Sequence, residues 1–111
     1  VRPSKFEAGW RTFTIKTVPD LVEDGEKCWG CTDFDRATIS LESLMNKETH
    51  KETLLHEITH VILETVGLGA DESPVRTNEI MTSQISRGFL QAFNLNKSMF
   101  EYLLNTEEED I

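Results

Sequence analysis

The sequence is poor in cysteine, with two in 111 residues, and poor in basic groups, with 11 Lys and Arg against 20 Asp and Glu. Two cysteines, Cys28 and Cys31, cannot staple a secreted scaffold, so a reducing cytoplasm is the expected compartment. The net charge of −9 argues against a nucleic-acid partner, because gripping phosphates takes a basic stripe that releases counterions. Apolar runs extend over only a handful of residues, so neither a bilayer-spanning segment nor a secretory signal is expected. Three prolines and six glycines build no linker, and no repeat divides the chain. What is present, 38% hydrophobic residues, suits one domain with a small core, expected over 1–106. Glu107, Glu108, Glu109 and Asp110 read as part of a solvated tail, 107–111. Without those four, 16 acidic groups face 11 basic ones, a net of −5.

The texture changes near Leu41. Before it, Trp10 to Val18 alternates Phe13 and Ile15 with Thr12, Thr14 and Lys16, the pattern of a strand. Turn-rich Pro19 to Lys27, with Asp24-Gly25, leads to a second strand around Cys28 to Phe34. A third, Ala37 to Leu41, places Ile39 and Leu41 on one face. After Leu41 the period becomes helical. Leu54, Leu55, Ile58, Val61, Ile62 and Val66 predict a helix that starts between Asn46 and Lys51 and stops at Gly67-Leu68-Gly69. Ser73 as N-cap and Pro74 at the first helical position announce a second helix carrying Val75, Met81, Ile85, Phe89, Ala92 and Phe93. A third runs from about Lys97 to Leu104. The expected class is α+β: a short, mostly antiparallel sheet of about three strands, then two or three helices.

The first helix contains His56-Glu57-Ile58-Thr59-His60, an H-E-x-x-H pattern. Two histidines four apart lie on one helical face about one turn apart, where their side chains can close on one zinc ion. Glu57, rotated about 100° from His56, borders that ion without ligating it, which is the place for a general base. Two histidines in an apolar helix also need partners, which a metal provides. A catalytic site takes a third protein ligand. Glu64 would stretch the set over about 12 Å of one straight helix, so it reads as a partner of the metal ligands or a surface acid. Glu79 fits better. From His60 the first helix climbs about 9 Å to Val66, and from Pro74 the second returns about 7.5 Å to Glu79.

These residues resemble a family. H-E-x-x-H at His56 to His60, followed by Asn78-Glu79 with eighteen residues between His60 and Glu79, is similar to the gluzincin metallopeptidases of the thermolysin-like clan. Their zinc is held by such a helix and by a glutamate on the next one. Glu64, one turn past His60, is also similar to that pattern, and the likeness covers roughly 37–90. It implies a zincin-like fold, one Zn2+ and a peptide or protein substrate. It further implies that the strand Ala37, Thr38, Ile39, Ser40 and Leu41 is the edge that pairs with the substrate. The small size resembles minimal gluzincins and the short H-E-x-x-H proteins of phages and prophages. The larger enzymes carry an aspartate where this chain has Ser83. They also have a tyrosine or histidine that stabilises the oxyanion, for which Tyr102 and His50 are the candidates.

Other readings stay open. Cys28-x-x-Cys31 followed by His56 and His60 has the order of a closed, structural zinc site, although the 24 residues between Cys31 and His56 exceed finger spacing. Trp10, Trp29, Phe34, Phe89, Phe93 and Phe100 are assigned to packing, with Trp29 bordering a cleft. The expectation is a zinc-dependent peptidase with ligands His56, His60 and Glu79 and general base Glu57. The alternatives are a zinc-stabilised interaction module, such as a phage-encoded binder of a host protein, and a metal-free helical adaptor.

Overall fold

The computed structural model describes residues 2–68 and 79–105. Ser73, Pro74, Val75, Asn78, Gly69 and the tail 107–111 therefore lie outside the described residues. The class is α+β. Six strands, β1 (Lys5–Ala8), β2 (Arg11–Val18), β3 (Val22–Glu23), β4 (Glu26–Lys27), β5 (Gly30–Asp33) and β6 (Thr38–Glu42), precede three helices. The helices are α1 (Lys47–Thr65), α2 (Glu79–Leu95) and α3 (Lys97–Leu104).

The four-stranded sheet has the order β1-β2-β6-β5, and β3 and β4 form a separate hairpin. The hairpin turns at Asp24 and Gly25, both at positive φ, a geometry that matches strand twist. The sheet is mixed but mostly antiparallel, as expected, with four strands where about three were expected. β1–β2 and β5–β6 are antiparallel, whereas β2 runs parallel to β6 with Ile15 beside Ile39. Alternation still chose the buried face correctly. Phe13, Ile15, Ile39 and Leu41 are buried together with Ala8, Met45 and Val61, and Leu54 and Ile58 of α1 pack onto that cluster.

β6 lies between β2 and β5, so Ala37, Thr38, Ile39, Ser40 and Leu41 do not form the edge that the family resemblance implied. The outer strand beside α1 is β5. α1 begins at an Asn46 cap, whose side chain accepts the Thr49 N–H at 2.8 Å. It ends in a paired C-terminal cap. With Gly67 at φ 88°, its N–H reaches the Glu64 carbonyl at 3.2 Å and that of Leu68 the Leu63 carbonyl at 2.8 Å.

α2 meets α1 through small polar residues, with Thr82 and Ser86 buried. Phe89 and Phe93 are exposed and make a ladder with Phe100 of α3. The packing role expected for the large aromatics fails most clearly at Trp10, which is 91% exposed in the β1–β2 turn under the Arg11 guanidinium. Trp29 borders two clefts, as expected. Among the described residues no helix is long and apolar enough to cross a membrane.

Candidate metal centre

Three polar residues of α1, His50, Glu57 and Thr59, are buried. His56, Glu57 and His60 form a group that can hold a metal ion. The Nε2 atoms of His56 and His60 lie 3.1 Å apart, as four-residue spacing on a helix allows. Glu79, the first residue of α2, brings a carboxylate to both. Its Oε2 is 3.0 Å from His56 Nε2 and its Oε1 3.1 Å from His60 Nε2. Glu79 thus stands at the level of His56 and His60, whereas the stretch from Pro74 on which that expectation was built lies outside the described residues. Glu79 is 71% exposed along its side chain, so it faces the centre from the solvent side.

Glu57 stands further back. It is 7% exposed, and its Oε2 is 4.0 Å from His56 Nε2. Its other oxygen, Oε1, accepts a hydrogen bond from the Thr32 hydroxyl of β5 at 2.8 Å. Burial pushes the Glu57 carboxyl above its ordinary range; the Thr32 bond and then the imidazoles of His60 and His56 pull it back, and the charge of Glu79 adds to the rise.

Ser83, one turn after Glu79, has its Oγ 3.3 Å from His56 Nδ1. Ser83 thus stands at the other ring nitrogen of His56 from the one that Glu79 approaches. Glu79, Ser83 and Ser86 lie along one face of α2, and the Ser86 hydroxyl donates to the Ser83 carbonyl at 3.0 Å.

Two open clefts of about 360 Å³ each meet at Gly30, His56 and Glu57. One continues past Glu79 and His60 to the acidic β3–β4 hairpin, with Glu23, Asp24 and Glu26. The other runs past Ser83 and Ser86 to Trp29, where the Arg87–Glu52 pair at 2.9 Å ties α2 to α1. Compared with known proteins, the chain matches no family model, no curated protein and no solved structure.

Several sequence candidates stand elsewhere. Glu64 is exposed on α1 outside the three-residue group. His50 is buried six residues before His56, about 240° around the helix, where burial and then the nearby Arg2 charge hold its pKa low. Tyr102 is 70% exposed on α3. That helix is anchored by Phe100 on Phe93, about 21 Å along α2 from Glu79. Neither residue lines the clefts at the centre.

Cys28 borders the acidic cleft, but no cysteine joins the metal-holding group among the described residues, which corrects the closed Cys/His alternative. Both are free thiols, and burial, reinforced by Glu23, pushes Cys31 up to about 11. Thr32 is the residue that sequence reasoning missed. Its only sign is a glycine two positions earlier in a short strand, which means nothing until the strand is docked on α1.

Proposed function

We propose that the chain is a zinc-dependent peptidase in which His56, His60 and Glu79 bind one Zn2+ and Glu57 is the general base. The observation that carries this reading is the convergence of three donors, His56 Nε2, His60 Nε2 and the Glu79 carboxylate, at 3.0–3.1 Å from one another. Bonds of roughly 2.0–2.1 Å at tetrahedral angles would set donor atoms about 3.3 Å apart, so the set suits a cation of that size. Glu79 is a better third ligand than Glu57, because the latter is 4.0 Å from His56 Nε2 and already engaged by Thr32. A separation of that kind is one that a water molecule bridges.

A zinc ion bound here supplies positive charge that polarises a peptide carbonyl and acidifies a water. Glu57 accepts the proton of the attacking water at Oε2, the oxygen that Thr32 leaves free, and returns it to the departing amine. Ser83 holds the His56 ring through Nδ1 so that Nε2 faces the centre. An extended peptide would lie along the outer edge of β5, with its ends in the two clefts. The resemblance of the H-E-x-x-H helix and Glu79 to gluzincins supports the same reading. The excess of acidic groups supports a peptide or protein partner over nucleic acid.

The positions of Tyr102 and His50 favour one second reading, a zinc-stabilised interaction module without hydrolysis. Glu57→Gln separates the two. In a peptidase the variant keeps zinc and loses kcat by about 10²-fold or more, measured on a mixture of unstructured peptides. In an interaction module it keeps zinc, and neither wild type nor variant cleaves.

A further inference from the structure

The peptidase reading gives Glu57 a task but does not explain what fixes its carboxylate. A glutamate side chain has three rotatable bonds, and burial alone does not select which oxygen faces the centre. Glu57 is held by a neighbour from another element. The Thr32 hydroxyl donates to Oε1 at 2.8 Å, and it is Oε2 that lies 4.0 Å from His56 Nε2. Thr32 is β-branched, so its hydroxyl direction is set by the strand to which it belongs.

That strand is seated on α1 by a second feature. Gly30, two residues earlier and hence on the same face of β5, has no side chain where α1 comes closest. A Cβ there would stand 2.8 Å from Thr53 Cγ2 and 3.2 Å from Glu57 Cγ. The missing side chain lets β5 approach until Thr32 reaches the carboxylate. On the opposite side β5 pairs antiparallel with β6, Thr32 beside Ile39, so the anchor is tied to the sheet's buried centre.

Resting on the peptidase reading, we propose that Thr32 is a positioning residue for Glu57: it ties Oε1 to strand β5 and leaves Oε2 as the only oxygen that works on the substrate. The outer strand along which a peptide would pair thereby also aims the base. The effect belongs to kcat, because Thr32 acts through Glu57 and lines neither of the two clefts at the centre.

The test uses Thr32→Val and Thr32→Ser in the full chain, with two independent readouts. In the zinc-loaded protein, Thr32→Val is expected to keep zinc affinity within about twofold and KM within about threefold, and to lower kcat by about 10- to 100-fold. Thr32→Ser restores most of that loss. In the metal-free protein, urea unfolding of a double-mutant cycle reads the bond without any activity. Thr32→Val lowers the folding equilibrium constant by about tenfold beside Glu57, and by less than about twofold in a Glu57→Met background. If Thr32→Val folds only in that background, the coupling is present in its strongest form.

In an active protein, loss of kcat without coupling, or coupling without loss of kcat, overturns the proposal. A Thr32→Ser variant as impaired as Thr32→Val does so too. If zinc-loaded wild type cleaves no peptide, the peptidase reading falls, and the metal-free cycle alone decides whether Thr32 holds Glu57.

Discussion

Both ring nitrogens of His56 have polar neighbours within hydrogen-bonding distance. Glu79 at 3.0 Å and His60 at 3.1 Å approach Nε2, while Ser83 at 3.3 Å approaches Nδ1. A hydroxyl at Nδ1 fixes the ring as an aspartate would, but without a negative charge to raise its basicity. Ser83→Ala is therefore expected to weaken zinc binding by about tenfold, and Ser83→Asp to restore or exceed wild-type affinity. Competition with a chromogenic chelator measures both, and an unchanged affinity in Ser83→Ala would remove Ser83 from the centre. The proposed donors His56, His60 and Glu79 were legible in the sequence, because four-residue spacing pairs the histidines on one helix and the residue count to the next helix brings in Glu79. Thr32 was not legible. Its role depends on β5 lying next to α1, a long-range placement that no periodicity records.

Among the elements, β6 shows most clearly where sequence pattern stops. Its alternation located Ile39 and Leu41 in the core, yet the pairing partners on its two sides, β2 in parallel and β5 in antiparallel, depend on the crossing of the chain between them. The edge therefore moved one strand outward. α2 shows a second limit. The period of Ile85, Phe89 and Phe93 marks a helix face on which Thr82 and Ser86 also lie, but it is these small polar residues that are buried while Phe89 and Phe93 stay exposed.

The end of β6 carries a pH-dependent clamp. The Glu42 carboxylate accepts the Leu21 N–H at 3.1 Å, the Ser43 hydroxyl at 3.2 Å and the Leu44 N–H at 3.3 Å. The Leu21 bond above all holds its carboxyl below the ordinary range. A carboxyl lowered in the folded state stabilises the fold above its unfolded value, and that contribution is lost as pH falls through the folded one. Glu42→Gln should lower the urea midpoint at about pH 7, by a difference that shrinks as the pH falls below the ordinary carboxylate range. A difference between the two proteins that stays constant with pH would contradict the clamp.

At the scale of the whole molecule, the centre joins α1 to α2, and residues 69–78 between them are outside the described part of the chain. An ion held by His56, His60 and Glu79 would bridge the two helices and bind only when both are in place. Ligand binding of that kind stabilises the folded state, by about 2.7 kcal/mol at a free concentration 100 times the dissociation constant. The Phe93–Phe100 contact lies near the opposite end of α2 from Glu79. The most direct measurement is calorimetric titration of zinc into the metal-free protein and its variants. One ion per chain is expected, lost in His60→Ala and Glu79→Ala and retained in Glu57→Gln and Cys28→Ser. Absence of zinc binding, or binding that survives Glu79→Ala and disappears in Cys28→Ser, would contradict that expectation.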